Sequence, residues 1–197
     1  MAIGAARGTD WREADLLVLD FEATSAEPRS ARPLSVGWVG IGEGRVRAAE
    51  CGYAVVRHVD PVPAGALAVH GLTPDVVAAG RPPEEVSEEL GALLAGRVLV
   101  AHHAPLEVAL LKGWGLRPHA VLDTLALLRR LDERAGRPRA DVTLAGAARR
   151  FDVPAARAHH AFGDAWTTAL LLLGLVCDLE AERGGVSLDD LLRLGRG

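Results

Sequence analysis

Lysine is almost missing from this chain. Of its 22 basic residues only Lys112 is a lysine and the rest are arginine. With the many Ala, Gly, Leu and Val residues, this reads as the stamp of a GC-rich gene rather than of a function. Cysteine is scarce as well. Cys51 and Cys177 stand alone, without the spacing of a metal finger or a disulfide framework, which predicts reduced thiols and a cytoplasmic protein. No apolar run reaches the length of a bilayer span, and the opening MAIGAARGTDWREAD is too polar for a signal peptide, so no membrane partner is expected. An excess of basic charge is lacking too: the formal net charge is -4. That argues against a broad basic surface wrapping a duplex, while leaving room for a small acidic metal site that handles the end of a strand.

What is present suffices for one domain with a sizeable core: 197 residues, 49% of them hydrophobic. The pattern predicts a loosely held arm over 1–14, a main domain over 15–183 and a C-terminal helix over 184–197 packed on it. LLVLDFEAT reads as the first strand. LSVGWVGIG (34–42) and GRVRAAECGYAVVRHV (44–59) read as two more, joined by a tight turn at Gly42-Glu43-Gly44. PVPAGALAVHGLT reads as a loop, after which Thr73 and Pro74 make a helix start. Residues 81–96 form an amphipathic helix, RVLVAH (97–102) a short strand, and Pro105 opens a helix to about Gly113. AVLDT (120–124) is a strand running into a helix over 124–134, followed by the most exposed loop, LDERAGRPRAD (131–141). VTLAGAARRF, the long HHAFGDAWTTALLLLGLVCDLEAE and VSLDDLLRL complete the helices. Hairpin strands first and alternating strands and helices afterwards predict an α/β sandwich with a partly antiparallel sheet.

The first strand ends in two acids, Asp20 and Glu22. Strand side chains two apart share a face, so both carboxylates point the same way. Like charges that close disfavour ionisation unless something positive holds them. Taken alone, an Asp-x-Glu at a strand end is more often a solvated edge. Glu107, in the first turn after Pro105, and Asp164, opening the longest helix, each have an equally plain reading as acids favouring a helix dipole. His159 lies five positions before Asp164, about 140° away on a continuous helix, so the two can face one site only if His159 sits in the loop before the helix. Should these acids converge, a pair of divalent cations would answer the repulsion. Mg²⁺ and Mn²⁺ prefer hard oxygen ligands, and a histidine can take a proton near neutral pH.

At this point the residues resemble a known family, the DEDDh (DnaQ-like) 3′–5′ exonucleases on a ribonuclease H-like fold. DFEATS (20–25) is similar to the first motif, Asp-x-Glu-Thr-Thr-Gly, and HHAFGDA (159–165) to the last, histidine, four residues, aspartate and alanine. LAVHGLT (67–73) resembles a His-Gly-Ile-Thr segment, and VLDTLAL (121–127) an Asp-Thr-Leu junction. The four occur in the family's order over roughly residues 15–180. One motif departs: where the family reads His-Asn-Ala-x-Phe-Asp, VAHHAPLEVALL has His103 for Asn, Leu106 for Phe and Glu107 for Asp. Glu107 keeps the charge on a longer arm, at the position that in the family supports the second metal.

The resemblance implies an α/β, ribonuclease H-like mixed sheet of about five strands flanked by helices. It implies a metal-dependent 3′–5′ exonuclease hydrolysing phosphodiester bonds at the 3′ end of single-stranded DNA or RNA and releasing nucleoside 5′-monophosphates. Two Mg²⁺ or Mn²⁺ ions would be held by Asp20, Glu22, Asp164 and Glu107, with Asp20 bridging them and His159 as general base. Phe21, Ala23, Thr24, His70, Leu72 and His103 would contact the terminal nucleotide. A homodimer and a polymerase partner are both compatible with the family. The alternative is a non-catalytic module binding nucleotides or nucleic-acid ends, silenced by the altered middle motif.

Other candidates have simpler readings. His102 and His103 near Glu107 suggest zinc, but no His-Glu-x-x-His run exists and neither cysteine is close in sequence. Asp123 is expected to cap a helix or support the site rather than bind metal. Trp38, Trp114 and Trp166 are expected to fill the core and Trp11 to anchor the arm. The arginines of 129–139 could touch phosphates but read first as a solvated loop.

Overall fold

The computed structural model describes residues 8–137 and 140–196. Five strands form one sheet: β1 (Leu16–Ala23), β2 (Pro33–Gly42), β3 (Arg45–Val55), β4 (Val98–Ala101) and β5 (Val121–Asp123), in the order β3-β2-β1-β4-β5. β1 pairs antiparallel with β2 and parallel with β4, so the sheet is mixed, as expected. Among the described residues eight α-helices accompany it: α1 (Ala64–His70), α2 (Pro74–Ala78), α3 (Pro83–Leu94), α4 (Pro105–Gly113), α5 (Thr124–Arg134), α6 (Leu144–Arg150), α7 (Ala161–Arg183) and α8 (Leu188–Leu194).

β1 is central and apolar on both faces, as a strand covered by helices on each side must be. Leu16 and Val18 face the layer of α5, α7 and α8, in a cluster with Val100, Leu122, Leu172 and Leu191. Leu17, Leu19 and Phe21 face the other layer, against Val86 and Leu90 of α3 and Leu110 and Leu111 of α4. Asp20 and Glu22 continue the first of these rows. The β2–β3 turn reverses through Glu43 and Gly44, both at positive φ (53° and 71°), which is the geometry of a two-residue hairpin.

α7 carries the apolar surface that covers β1 and β2. By length and composition it is the one helix among the described residues that could cross a bilayer, which corrects the expectation that no segment reaches that length. Its apolar residues are nevertheless largely buried within the domain. Its first turn lies directly on β2: a Cβ at Gly37 would fall 2.3 Å from the Cα of Phe162. Gly37 is the β2 partner of Asp20, so the missing side chain brings the start of α7 down at the row of the first acid.

Three further sequence expectations change. The supposed loop over 61–73 contains α1. Its run Ala-Gly-Ala-Leu-Ala-Val-His is helix-favouring, but none of these residues is buried, so no amphipathic period betrays it; Gly71, at φ 67°, ends it. The segment 131–141 is not simply a solvated loop: α5 runs to Arg134, and Asp132, 2% exposed, binds Arg150 and Arg137. Residues 138 and 139 lie outside the described residues. The second half of the arm is held rather than loose. Trp11 is buried, its indole N–H donates to Glu180 at 3.0 Å, and Arg12 grips the same carboxylate; residues 1–7 lie outside the described residues.

Filling the gap at Gly37 tests the packing of α7. Gly37→Ala places a methyl against backbone that cannot swing aside, and is expected to destabilise the protein by about 1–3 kcal/mol. Urea denaturation checks this; an unchanged midpoint would contradict the close approach.

Candidate active site

The end of β1, the start of α4 and the start of α7 enclose one recess, into which Asp20, Glu22, Glu107, His159 and Asp164 all project. Ligand oxygens of Asp20, Glu22 and Asp164 lie within 4.8 Å of one another. Asp164 stands in the first turn of α7, and His160 occupies the cap position before it. His159 therefore precedes the helix, the condition on which a shared site depended. It does so at φ 57°, and its backbone N–H donates to Asp164 Oδ2 at 2.8 Å. That bond orients the carboxylate and leaves the His159 ring exposed.

Burial and mutual repulsion set the charges here. Asp20 is pushed well above the usual carboxylate range, first by burial and then by Glu107, Asp164 and Glu22. Glu22 rises to about 7, through burial and the charge of Asp164. Glu107, 5% exposed, rises to about 8, mainly through burial, with backbone amides offsetting part of it. Asp164 is raised by burial against the pull of the His159 amide. Oε2 of Glu107 is buried without a hydrogen-bond partner. Hard oxygen donors crowded together, one of them orphaned, fit a divalent cation.

Second-layer contacts fix these groups. Asp123 accepts N–H groups from His103 (2.9 Å), Ala104 (3.0 Å) and Leu125 (2.9 Å), so it clamps the turn before α4 to the start of α5, as a cap. Both nitrogens of His102 are engaged, by Thr124 Oγ1 at 2.9 Å and the Val142 carbonyl at 3.0 Å, which leaves no lone pair for zinc. His70, at the end of α1, sets Nδ1 against Glu22 Oε2 and Nε2 at 3.1 Å from the Ala23 carbonyl. Since the Ala23 oxygen can only accept, Nε2 donates to it, and Nδ1 faces the Glu22 carboxylate.

Beside the acids, Phe21, Glu22, Ala23 and Thr24 face α1 across a second recess walled by Ala66, Val69, His70 and Leu106. His103 lines the acidic recess, whereas Leu72 is half-buried and lines neither. Sequence reasoning overlooked the α1 wall and Gly37. Only Gly37 left a signal, a glycine inside an apolar strand, which often marks close backbone approach.

The raised carboxylates make metal-free stability fall with pH. A carboxyl whose folded pKa exceeds its unfolded value binds protons preferentially in the folded state, so its burden grows as pH rises from about 4 towards the folded values of about 7 and about 8. In EDTA, the melting temperature is expected to drop between pH 5 and pH 8.5. Mn²⁺ should restore it at the upper end, and Glu107→Gln should flatten the metal-free profile. A profile with no such fall contradicts the clustering.

Comparisons with known proteins agree with the geometry. A family described as exonuclease, RNase T, matches residues 17–172. A DNA polymerase III subunit epsilon-like protein of Rhodobacter capsulatus is 30% identical over 184 residues, covering 84% of this chain and 24% of the relative. A PolC-type DNA polymerase III of Thermotoga petrophila is 26% identical, covering 85% of this chain and 12% of the relative. The chain thus spans a quarter or less of these relatives. Among solved structures, E. coli Exonuclease I in complex with a dT13 oligonucleotide superposes with a TM-score of 0.72 at 16% identity, over 86% of this chain and 42% of that one. Exonuclease X in complex with 5′ overhanging duplex DNA gives 0.70 at 20% identity, over 91% and 99%. A family match running from the first strand into the middle of α7 carries the conclusion that this chain belongs to the RNase T exonucleases, as a DEDDh member on the ribonuclease H-like fold.

Proposed function

We propose that the protein is a 3′–5′ exonuclease that hydrolyses the terminal phosphodiester bond of single-stranded nucleic acid and releases nucleoside 5′-monophosphates. The observation that carries this reading is the meeting of Asp20, Glu22 and Asp164 within 4.8 Å, with Glu107 and His159 lining the same open recess. Asp20, Glu22 and Asp164 would hold one Mg²⁺ or Mn²⁺, and Glu107 with Asp20 a second. When bound, such ions stabilise the charge that develops on the phosphate and on the leaving oxygen.

The chain's own groups do the rest. The exposed His159 ring accepts the proton of the attacking water at a ring nitrogen. The Asp164 carboxylate, tied to the His159 amide, keeps that loop in place. The recess between β1 and α1 receives the terminal nucleotide: Phe21, Ala23 and Leu106 offer apolar contact, and His70 closes its end. Thr24 accepts the Arg32 amide at 3.0 Å, which holds the rim. His103 borders the acids, while Leu72 stands back from both recesses. The relatives named as polymerase III proteins support DNA as a substrate and a polymerase as a partner. The Exonuclease I complex supports a single strand. A second reading, a non-catalytic end-binding module, is favoured by one observation, the glutamate at 107 where the family carries aspartate.

Matched 5′-labelled DNA and RNA oligonucleotides, incubated with each metal, decide between the two. The expected result is a ladder shortening from the 3′ end with mononucleotide product, reduced to background by Asp20→Ala. Shortening that survives this substitution would contradict the proposal. Binding without turnover, with turnover appearing in Glu107→Asp, would establish the second reading.

A further inference from the structure

A groove leaves the acidic recess along α4. Pro28 walls both, and α4 continues from Leu106 and Glu107 in the recess to Leu110 and Gly113 in the groove. Those positions recur at helical spacing, so one face of α4 floors the path. Trp114 ends it, edge-on to Phe21 with ring centroids 5.7 Å apart, and it is only partly buried. From Glu107 to Trp114 the helix rises about 10 Å, the length of about three stacked nucleotides.

The opposite wall is the β1–β2 loop, which carries Arg29 and Arg32, both exposed. Some arginines elsewhere, Arg81, Arg97, Arg137, Arg149 and Arg150, sit against carboxylates, while others among the described residues, such as Arg117 and Arg134, do not. What sets Arg29 and Arg32 apart is their place on the groove wall. Among the described residues, Arg29 and Arg32 have no such partner, and Glu27 of the same loop pairs with neither. The loop is nevertheless fixed. Thr24 and Arg32 close its neck, with the Thr24 N–H on the Arg32 carbonyl at 2.9 Å, and the Arg32 guanidinium is braced on the Ala31 carbonyl at 2.9 Å. The groove thus sets two unneutralised cations, one of them braced, and an aromatic ring on a path that begins at the acids. Phosphates and bases match that pairing.

We propose that this groove is the track for the single strand 5′ of the scissile bond, with Arg29 and Arg32 on its backbone phosphates and Trp114 against a base. The proposal rests on the exonuclease reading and extends it to the length of strand the protein prefers.

The p-nitrophenyl ester of thymidine 5′-monophosphate reports the acidic recess alone, and an octanucleotide reports recess and groove together. The double variant Arg29→Ala/Arg32→Ala should cleave the ester as the wild type does, while its KM for the octanucleotide rises about tenfold. The slope of log(1/KM) against log salt should become shallower by about 1.4, for two lost phosphate contacts. Trp114→Leu, which keeps an apolar filler, should raise the octanucleotide KM at least about fivefold; an unchanged KM overturns the stacking contact. Unchanged KM and slope in the double variant overturn the track while leaving the nuclease reading intact. If the wild type cleaves neither substrate, that reading fails. Fluorescence anisotropy of labelled octathymidylate and octauridylate still decides the groove: weaker binding by the double variant upholds it, and equal or absent binding overturns it.

Discussion

Three carboxylates within 4.8 Å of one another repel in any state in which all are charged, and a polypeptide left to itself would separate them. Here the scaffold forbids separation. Asp20 and Glu22 belong to a strand paired on both sides and covered on both faces. Asp164 is fastened to a helix that Gly37 allows to rest on the neighbouring strand's backbone. The repulsion therefore cannot relax by motion, and protons or a cation must answer it. That constraint explains why the pKa values rise together and why Glu107 leaves a buried oxygen unpartnered.

Around this rigid centre the parts differ in how firmly they are built. Asp123 gathers four backbone amides and thereby sets where α4 begins and where Glu107 stands. His102 gives up both nitrogens to the same frame. α1 is different: none of its residues is buried, and Val69 shows 51% of its surface. Its link to the acids is His70, lying against Glu22. In the proposed function the acids are preorganised by the core, while the wall that meets the nucleotide is held by few contacts and is free to adapt.

Much of this was legible in the chain. The alternation in LLVLDFEA places Asp20 and Glu22 on one face, and the requirement that His159 precede the helix is met by the cap at His160. What escaped the sequence did so for physical reasons. α1 buries nothing, so its apolar residues have no helical period to read. Asp132 looks solvent-bound in a charged stretch, yet it is buried because Arg150, 18 positions later, returns to it. A glycine inside an apolar strand hints that something approaches Gly37, but the contact is with Phe162, far along the chain, and no local pattern names it. The departure at Glu107 was visible, but its isolation from any hydrogen-bond donor at Oε2 was not.

The central claim is that the acids form a cation site because the fold holds them together. Electron paramagnetic resonance of a Mn²⁺ titration at neutral pH measures this directly, since bound and free ions give different signals. The account predicts loss of the free-ion signal on adding the wild-type protein, and recovery of most of it with Asp20→Asn. A free-ion signal undiminished by the wild type, or diminished equally by the variant, would contradict it.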